Sequence, residues 1–205
     1  MARIQSKDYK SIKLSIMDNA ADLFAAKGFS NTSIVEISEA SGLSKSGIYH
    51  YFKSKREILY TMLSEHIKML FDQMASALHS SQDPVEQFHT LSLLLMRTYS
   101  RSKSRHAVLM KEIENLPEEE RRQIVALERQ VVKFTENLIG RIKPELYFMD
   151  RVQRPVAMLF FGMINWTYTW YEADKGVDPH QLAAIASNIF VEGLLASDFN
   201  SLLKK

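Results

Sequence analysis

The chain contains no cysteine among its 205 residues. Neither a disulfide framework nor a thiolate metal site is therefore available to it. Glycine and proline are scarce, at seven and five, and most fall where helices are expected to begin or end. Charge of one sign is also missing: the formal net charge is only +2, which argues against a general polyanion binder. The most apolar stretch, residues 155–171, is short for a membrane span and carries Asn165 and several hydroxyl groups. The first eleven residues are polar and basic with no apolar run behind them, so no export signal is read, and a cytoplasmic protein is expected. The six histidines show no metal-ligand spacing, and neither a glycine-rich phosphate loop nor a Gly-x-Ser-x-Gly elbow occurs. An enzyme is not expected, nor is a metal or other cofactor.

What the chain does have is concentrated in residues 28–56, GFSNTSIVEISEASGLSKSGIYHYFKSKR. Ahead of it, Ile12, Ile16, Ala20, Leu23 and Phe24 recur at helical spacing and predict a helix over 11–26. Gly28 stands where a left-handed cap belongs. Ser33 and Glu36 have capping-box spacing and open a short helix with Ile34, Ile37 and Ala40 inward. Gly42 permits a sharp turn. Ser44 caps the next helix, which turns Ile48 and Phe52 inward. Ser54 and Glu57 repeat the capping spacing and open a long helix reaching about Leu78. Short helices joined by a tight glycine turn are the geometry of a helix-turn-helix reader of DNA.

The outward residues of the third helix suit that role. Ser44, Lys45, Ser46, Tyr49, His50 and Tyr51 are small, basic, or aromatic with a polar tip, and can donate to phosphates or base edges. Lys53 and Lys55 follow at the helix exit, where they are expected to clamp phosphates. Residues 1–60 carry nine Lys and Arg against six Asp and Glu, whereas residues 61–205 carry 17 against 18. Positive charge thus collects on the proposed DNA module. Arg3, Lys7, Lys10 and Lys13 form a basic N-terminal segment, read either as an arm on DNA or as a frayed end.

The runs AADLFAAKGFSNTSI, GLSKSGIYHYF and KSKREIL within residues 12–60 resemble the N-terminal domain of the TetR family of transcriptional regulators. The resemblance implies a homodimer that binds a palindromic double-stranded operator and lets go when a small molecule enters a C-terminal domain. It carries DNA contacts onto Thr32, Ser33, Lys45, Ser46, Tyr49, His50 and Tyr51, and matches Lys55 to a lysine at the start of the fourth helix. Tyr49-His50-Tyr51-Phe52 departs from the commoner Tyr-Tyr-His-Phe order, and Lys45-Ser46-Gly47 from the commoner Lys-Gly-Thr. The expected organisation is a three-helix DNA-binding domain over residues 1–55 and a ligand-binding and dimerisation domain over residues 56–205.

The remainder reads as helical, giving an all-α fold class. Asp83-Pro84 and Asp178-Pro179 each mark a helix start. RSKSR, residues 101–105, is predicted as a basic loop before a helix over 106–115. A helix with Ile124, Leu127, Val131, Phe134 and Leu138 on one face begins at Glu118. A strongly apolar helix over 151–174 is predicted next, buried on most sides. The last helix carries Leu182, Ile185, Ile189, Gly193 and Leu194 on its face. A lone chain would expose part of this apolar surface, so dimerisation through the last two helices is expected.

The aromatic run also suggests a cavity. Asn165, Trp166, Tyr168 and Trp170, with Met96, Tyr99, Met110 and Phe134, are read as the lining of a mostly apolar ligand pocket. Phe71, Met74 and Leu91 are further candidates. The same residues also suit a core or a dimer interface. FFGMINWTYTWY and the final helix resemble TetR-family members that respond to acyl-CoA thioesters or related hydrophobic acids. An effector of that class is the expectation, with Arg97, Arg101, Lys103, Arg105, Arg121 and Arg122 available for its phosphates. The alternative is an architectural DNA-binding dimer with no effector.

Overall fold

A computed structural model of the chain describes residues 2–77, 81–149 and 152–202, with side chains described from residue 8 and, in the fourth helix, up to residue 75. Leu78, His79 and the side chains of Arg3 and Lys7 lie outside the described residues. The fold is all-α, without a strand among the described residues. Its helices are α1 (Ala2–Lys27), α2 (Ile34–Ala40), α3 (Lys45–Tyr51), α4 (Lys55–Ala77) and α5 (Pro84–Arg101). There follow α6 (Lys103–Glu112), α7 (Glu118–Ile142), α8 (Gln153–Asn165), α9 (Pro179–Ala196) and α10 (Phe199–Leu202). None is long and apolar enough to cross a membrane. Contacts gather the chain into two compact units, Met1–Lys68 with Ser102–Leu127, and Met69–Arg101 with Glu128–Lys205.

In the first unit α1 starts at Ala2, nine residues before the start expected from its apolar spacing. Residues 2–10 lack an inward stripe, but they also lack glycine and proline, so nothing stops the helix from continuing. Gly28 ends it at φ 87°, and Gly42 makes the turn between α2 and α3 at φ 65°, conformations costly for a residue with a Cβ. Ile16, Ala20, Phe24, Ile37, Ile48, Phe52, Ile58 and Met62 are buried and hold α1–α4 together. The segment 101–105 is not a loop. Only Ser102 separates α5 from α6, and α6 packs against α1. Arg105 reaches Asp18 at 2.8 Å, fixing α6 to the middle of α1.

The second unit is centred on an aromatic cluster. Phe88 of α5 stacks on Phe190 of α9 at 5.2 Å between ring centroids, and Phe160 of α8 meets these rings at 4.7 and 5.3 Å. Leu91, Leu95, Val131, Leu138, Ala157 and Ile164 are buried in the same unit. The helix expected over 151–174 stops at Asn165 and tightens into a 3-10 turn over Trp166–Thr169. Two hydroxyl groups bond the backbone at this point. Thr167 Oγ1 donates to the Ile164 carbonyl at 2.6 Å, and Thr169 Oγ1 to that of Trp166 at 2.7 Å. Such local bonds compete with the α-helical ladder, and a run of aromatic and β-branched residues has little helix propensity to resist them. Burial is also one-sided: Val156, Ala157, Phe160 and Phe161 point in, whereas Met158, Leu159 and Met163 are exposed.

Candidate nucleic-acid interface

The turn and helix that would meet DNA are set by caps. Ser33 accepts from the Glu36 amide at 3.2 Å while the Glu36 carboxylate accepts from the Ser33 amide at 2.7 Å, a complete capping box. Glu36 also pairs with Lys27. The Lys27 ammonium and the Ser33 donors hold its carboxyl down at about 2. Ser44 accepts from the Gly47 amide at 3.1 Å and opens α3, with Ser46 Oγ 2.9 Å away. The second expected box is only half formed. Ser54 accepts from the Glu57 amide, but the Glu57 carboxylate reaches back to the amide of Lys53 instead.

Helix α3 is anchored by Ile48, and Phe52 beyond it is also buried. The other side faces outward. Ser44, Lys45, Ser46, His50 and Lys53 are exposed, Tyr49 is 47 % exposed, and Tyr51 is half-buried. Four cations or polar rings, two hydroxyls and one lysine at the exit therefore share one accessible ridge, the arrangement a groove reader needs.

Two further residues expected to contact DNA, Thr32 before α2 and Lys55 at the start of α4, turn inward. Thr32 is buried, and its hydroxyl donates to the Gly28 carbonyl at 2.9 Å. Lys55 turns inward across the loop before α2. Its ammonium donates to the carbonyls of Phe29 and Thr32, each at 2.6 Å, and lies 4.3 Å from the centre of the Phe29 ring. Partial burial lowers its pKa, opposed by the Glu36 carboxylate. In the DNA-free chain this side chain braces the 29–32 loop. Glu112 of α6 supports the same loop by accepting from the Phe29 amide at 3.2 Å.

The structure also brings to α3 a residue that the sequence reading passed over. Tyr9 of α1 lies 4.7 Å from the Tyr51 ring and 6.2 Å from that of His50, the latter edge-on. Lys13, one turn further along, has its ammonium 5.3 Å from the centre of the Phe52 ring. The signal was present: Tyr9, Lys13 and Ile16 follow helical spacing, once α1 is allowed to extend through residue 9.

The residues named for a ligand pocket are divided. Met96 and Tyr99 are buried, and Phe134, Asn165 and Tyr168 are half-buried, all in the second unit. Met110 belongs to the first unit. Trp166 and Trp170 are 63 % and 55 % exposed, so the chain as described does not bury them as a lining. The end of α8 at Asn165 puts both indoles on the turn that follows. Asn165 keeps a buried side-chain oxygen with no hydrogen-bond partner among the described residues. Tyr99 is held protonated by burial, with the Glu128 carboxylate adding to the effect.

Comparison with known proteins agrees with this architecture. Residues 16–61 match the family described as bacterial regulatory proteins, tetR family, and residues 81–194 match the tetracyclin repressor-like C-terminal domain. A TetR-family transcriptional regulator from Bordetella parapertussis 12822 is 34% identical, with 95% of this chain and 98% of that one covered at a TM-score of 0.85. The transcriptional repressor KstR2 of Rhodococcus jostii is 24% identical over 186 residues, 89% of this chain and 90% of the relative. KstR2 of Mycolicibacterium smegmatis is 28% identical over a shorter span, 45% of this chain and 43% of the relative. AibR, solved with isovaleryl coenzyme A and operator DNA, shares the fold at a TM-score of 0.75 and 23% identity, over 87% of this chain and 97% of that one. These relatives are regulators rather than enzymes. With a capped helix-turn-helix ahead of a helical C-terminal unit, and both parts matched, the chain belongs to the TetR family of DNA-binding transcriptional regulators.

Proposed function

We propose that the protein is a homodimeric repressor that reads a palindromic operator through α3 and releases it on binding a hydrophobic, acyl-CoA-like effector. The observation that carries the DNA half is the open ridge of Ser44, Lys45, Ser46, Tyr49 and His50, with Tyr51 and Lys53 at its end. Ser33, exposed at the start of α2, adds a donor to the same reading. Functionally, residues 1–55 serve DNA and residues 56–205 serve the effector and the dimer contact.

Dimerisation is supported by apolar side chains that a lone chain leaves in water. Leu159 is 68 % and Ile189 62 % exposed, with Met158, Met163 and Ile185 also open on α8 and α9. Covering such surface gains about 25 cal/mol per Å², and two copies of one face bury each other symmetrically. Trp166 and Trp170, in the segment that follows α8, are exposed as well.

The effector half is supported by Met96, Tyr99, Phe134, Asn165 and Tyr168 in the second unit, where an unpartnered Asn165 oxygen awaits a donor. The likeness to AibR, solved with isovaleryl coenzyme A, points to the thioester class. The test is a thermal-shift screen of acyl-CoAs of graded chain length, fatty acids and aromatic acids, followed by operator release with each compound that raises the melting temperature. An acyl-CoA that both stabilises the protein and frees the operator is the expected result. Failure of the whole panel would remove the effector and leave an architectural DNA-binding dimer.

A further inference from the structure

The second unit carries two neighbouring cavities between α5 and α9, which together form a groove. One end is a cavity of about 280 Å³ lined by Arg97, Ser100, Arg101, Asp178, Pro179 and His180. The next is a cavity of about 300 Å³ that shares His180 and runs along Leu93, Ala183 and Ala184, with His89, Ser187 and Asn188 at its wall. Arg97 and Arg101 are one helical turn apart on α5, so both guanidiniums serve the same end. Neither forms an ion pair among the described residues, unlike Arg56, Arg105, Arg121 and Arg122. The acid at that end is already committed: Asp178 Oδ1 accepts from the amides of His180 and Gln181 at 2.8 and 2.9 Å, capping α9. Two guanidiniums against the one carboxylate of Asp178 leave that end net positive. Beyond it the wall changes to methyl and methylene groups with neutral hydrogen-bonding partners, among them the His89 Nδ1–Ser187 Oγ pair at 2.7 Å.

We propose that this groove binds an organic phosphate, with the phosphate on Arg97 and Arg101 and an uncharged, partly apolar stem along Leu93, Ala183 and Ser187. Guanidinium forks match phosphate oxygens in geometry and charge. A groove with charge at one end alone selects a ligand that is charged at one end alone. If the effector is an acyl-CoA, its phosphates are the natural occupant. This rests on the proposed effector class, but the groove can be tested without it.

The experiment is a calorimetric titration of the full chain with free coenzyme A, inorganic pyrophosphate and decanoate, repeated on the Arg97→Gln/Arg101→Gln variant. Both arginines are exposed, so the variant should keep the wild-type melting temperature. Coenzyme A is expected to bind the wild type, to weaken as salt rises, and to lose at least about tenfold in affinity in the variant. Equal binding to both proteins, or none to the wild type at millimolar concentration, overturns the site. Pyrophosphate binding as tightly as coenzyme A overturns the stem contact. An operator released by acyl-CoA equally well in both proteins sinks the groove while sparing the effector. Arginine-dependent coenzyme A binding, with no acyl-CoA able to release DNA, supports the groove and sinks the effector.

Discussion

The ring of Tyr9, near the start of α1, lies 4.7 Å from the ring of Tyr51 at the end of α3, tilted by 34°. The contact ties the terminal segment to the proposed DNA-reading helix and packs Tyr9 against Tyr51 and His50. An aromatic pair of this kind contributes about 0.5–1.5 kcal/mol. Tyr9→Ala should therefore weaken operator binding roughly two- to tenfold, and Tyr9→Phe should restore it, since the ring and not the hydroxyl makes the contact. Fluorescence anisotropy with labelled operator measures both. Equal loss in the two variants would assign the role to the hydroxyl instead.

Lys55 provides the opposite case. With its ammonium on the Phe29 and Thr32 carbonyls, Lys55→Ala should cost stability, about 1.5–3 kcal/mol for a charged donor removed from its acceptors. The dependence of operator affinity on salt should hardly change. A melting temperature equal to wild type, with a salt slope lower by about one, would return Lys55 to the phosphates.

His66 on α4 is fully buried, and its ring nitrogens have no hydrogen-bond partner among the described residues; His106 on α6 is 6.1 Å away between ring centres. Burial, helped by the positive charge of Arg105, lowers the His66 pKa from 6.5 to about 4. The folded state thus binds a proton less readily than the unfolded state. The contribution is fully present above pH 6.5 and is lost as pH falls through the window down to about 4. In that window stability should drop by about 1.4 kcal/mol per pH unit for one proton. Denaturant unfolding at several pH values should show the slope in the wild type and a flatter one in His66→Leu.

Leu159 and Ile189 stand on the exposed faces of α8 and α9. Leu159→Glu combined with Ile189→Arg should shift the protein from dimer to monomer in analytical ultracentrifugation. Helicity should remain, because neither side chain is in the core. A monomeric wild type, or an unchanged dimer in the variant, would relocate the interface.

Much of this was legible in the sequence because it depends on local rules. Gly28 and Gly42, the Ser33–Glu36 box and the Ser44 cap each act within four residues, and each falls where the spacing put it. The inward face of α7 was equally readable, with Ile124, Val131 and Leu138 buried. What the sequence hid depends on contacts between distant segments. Lys55 and Lys53 look alike in the chain, yet only Lys55 meets carbonyls 23 and 26 residues away. Tyr9 gained meaning only once α1 ran on without an apolar stripe. The end of α8 at Asn165, followed by a 3-10 turn in which Thr167 and Thr169 bond the backbone, is not encoded in periodicity.

The measurement that tests the central claim most directly is selection of binding sites from random duplex DNA, followed by salt titration of the selected site with wild type, Lys45→Ala and Tyr49→Ala. The account predicts an inverted repeat bound by two chains, weaker binding in both variants, and a salt slope lower by about one per chain for Lys45→Ala. Binding without sequence preference, or unchanged affinity in both variants, would contradict the assignment of α3 as the DNA-reading helix.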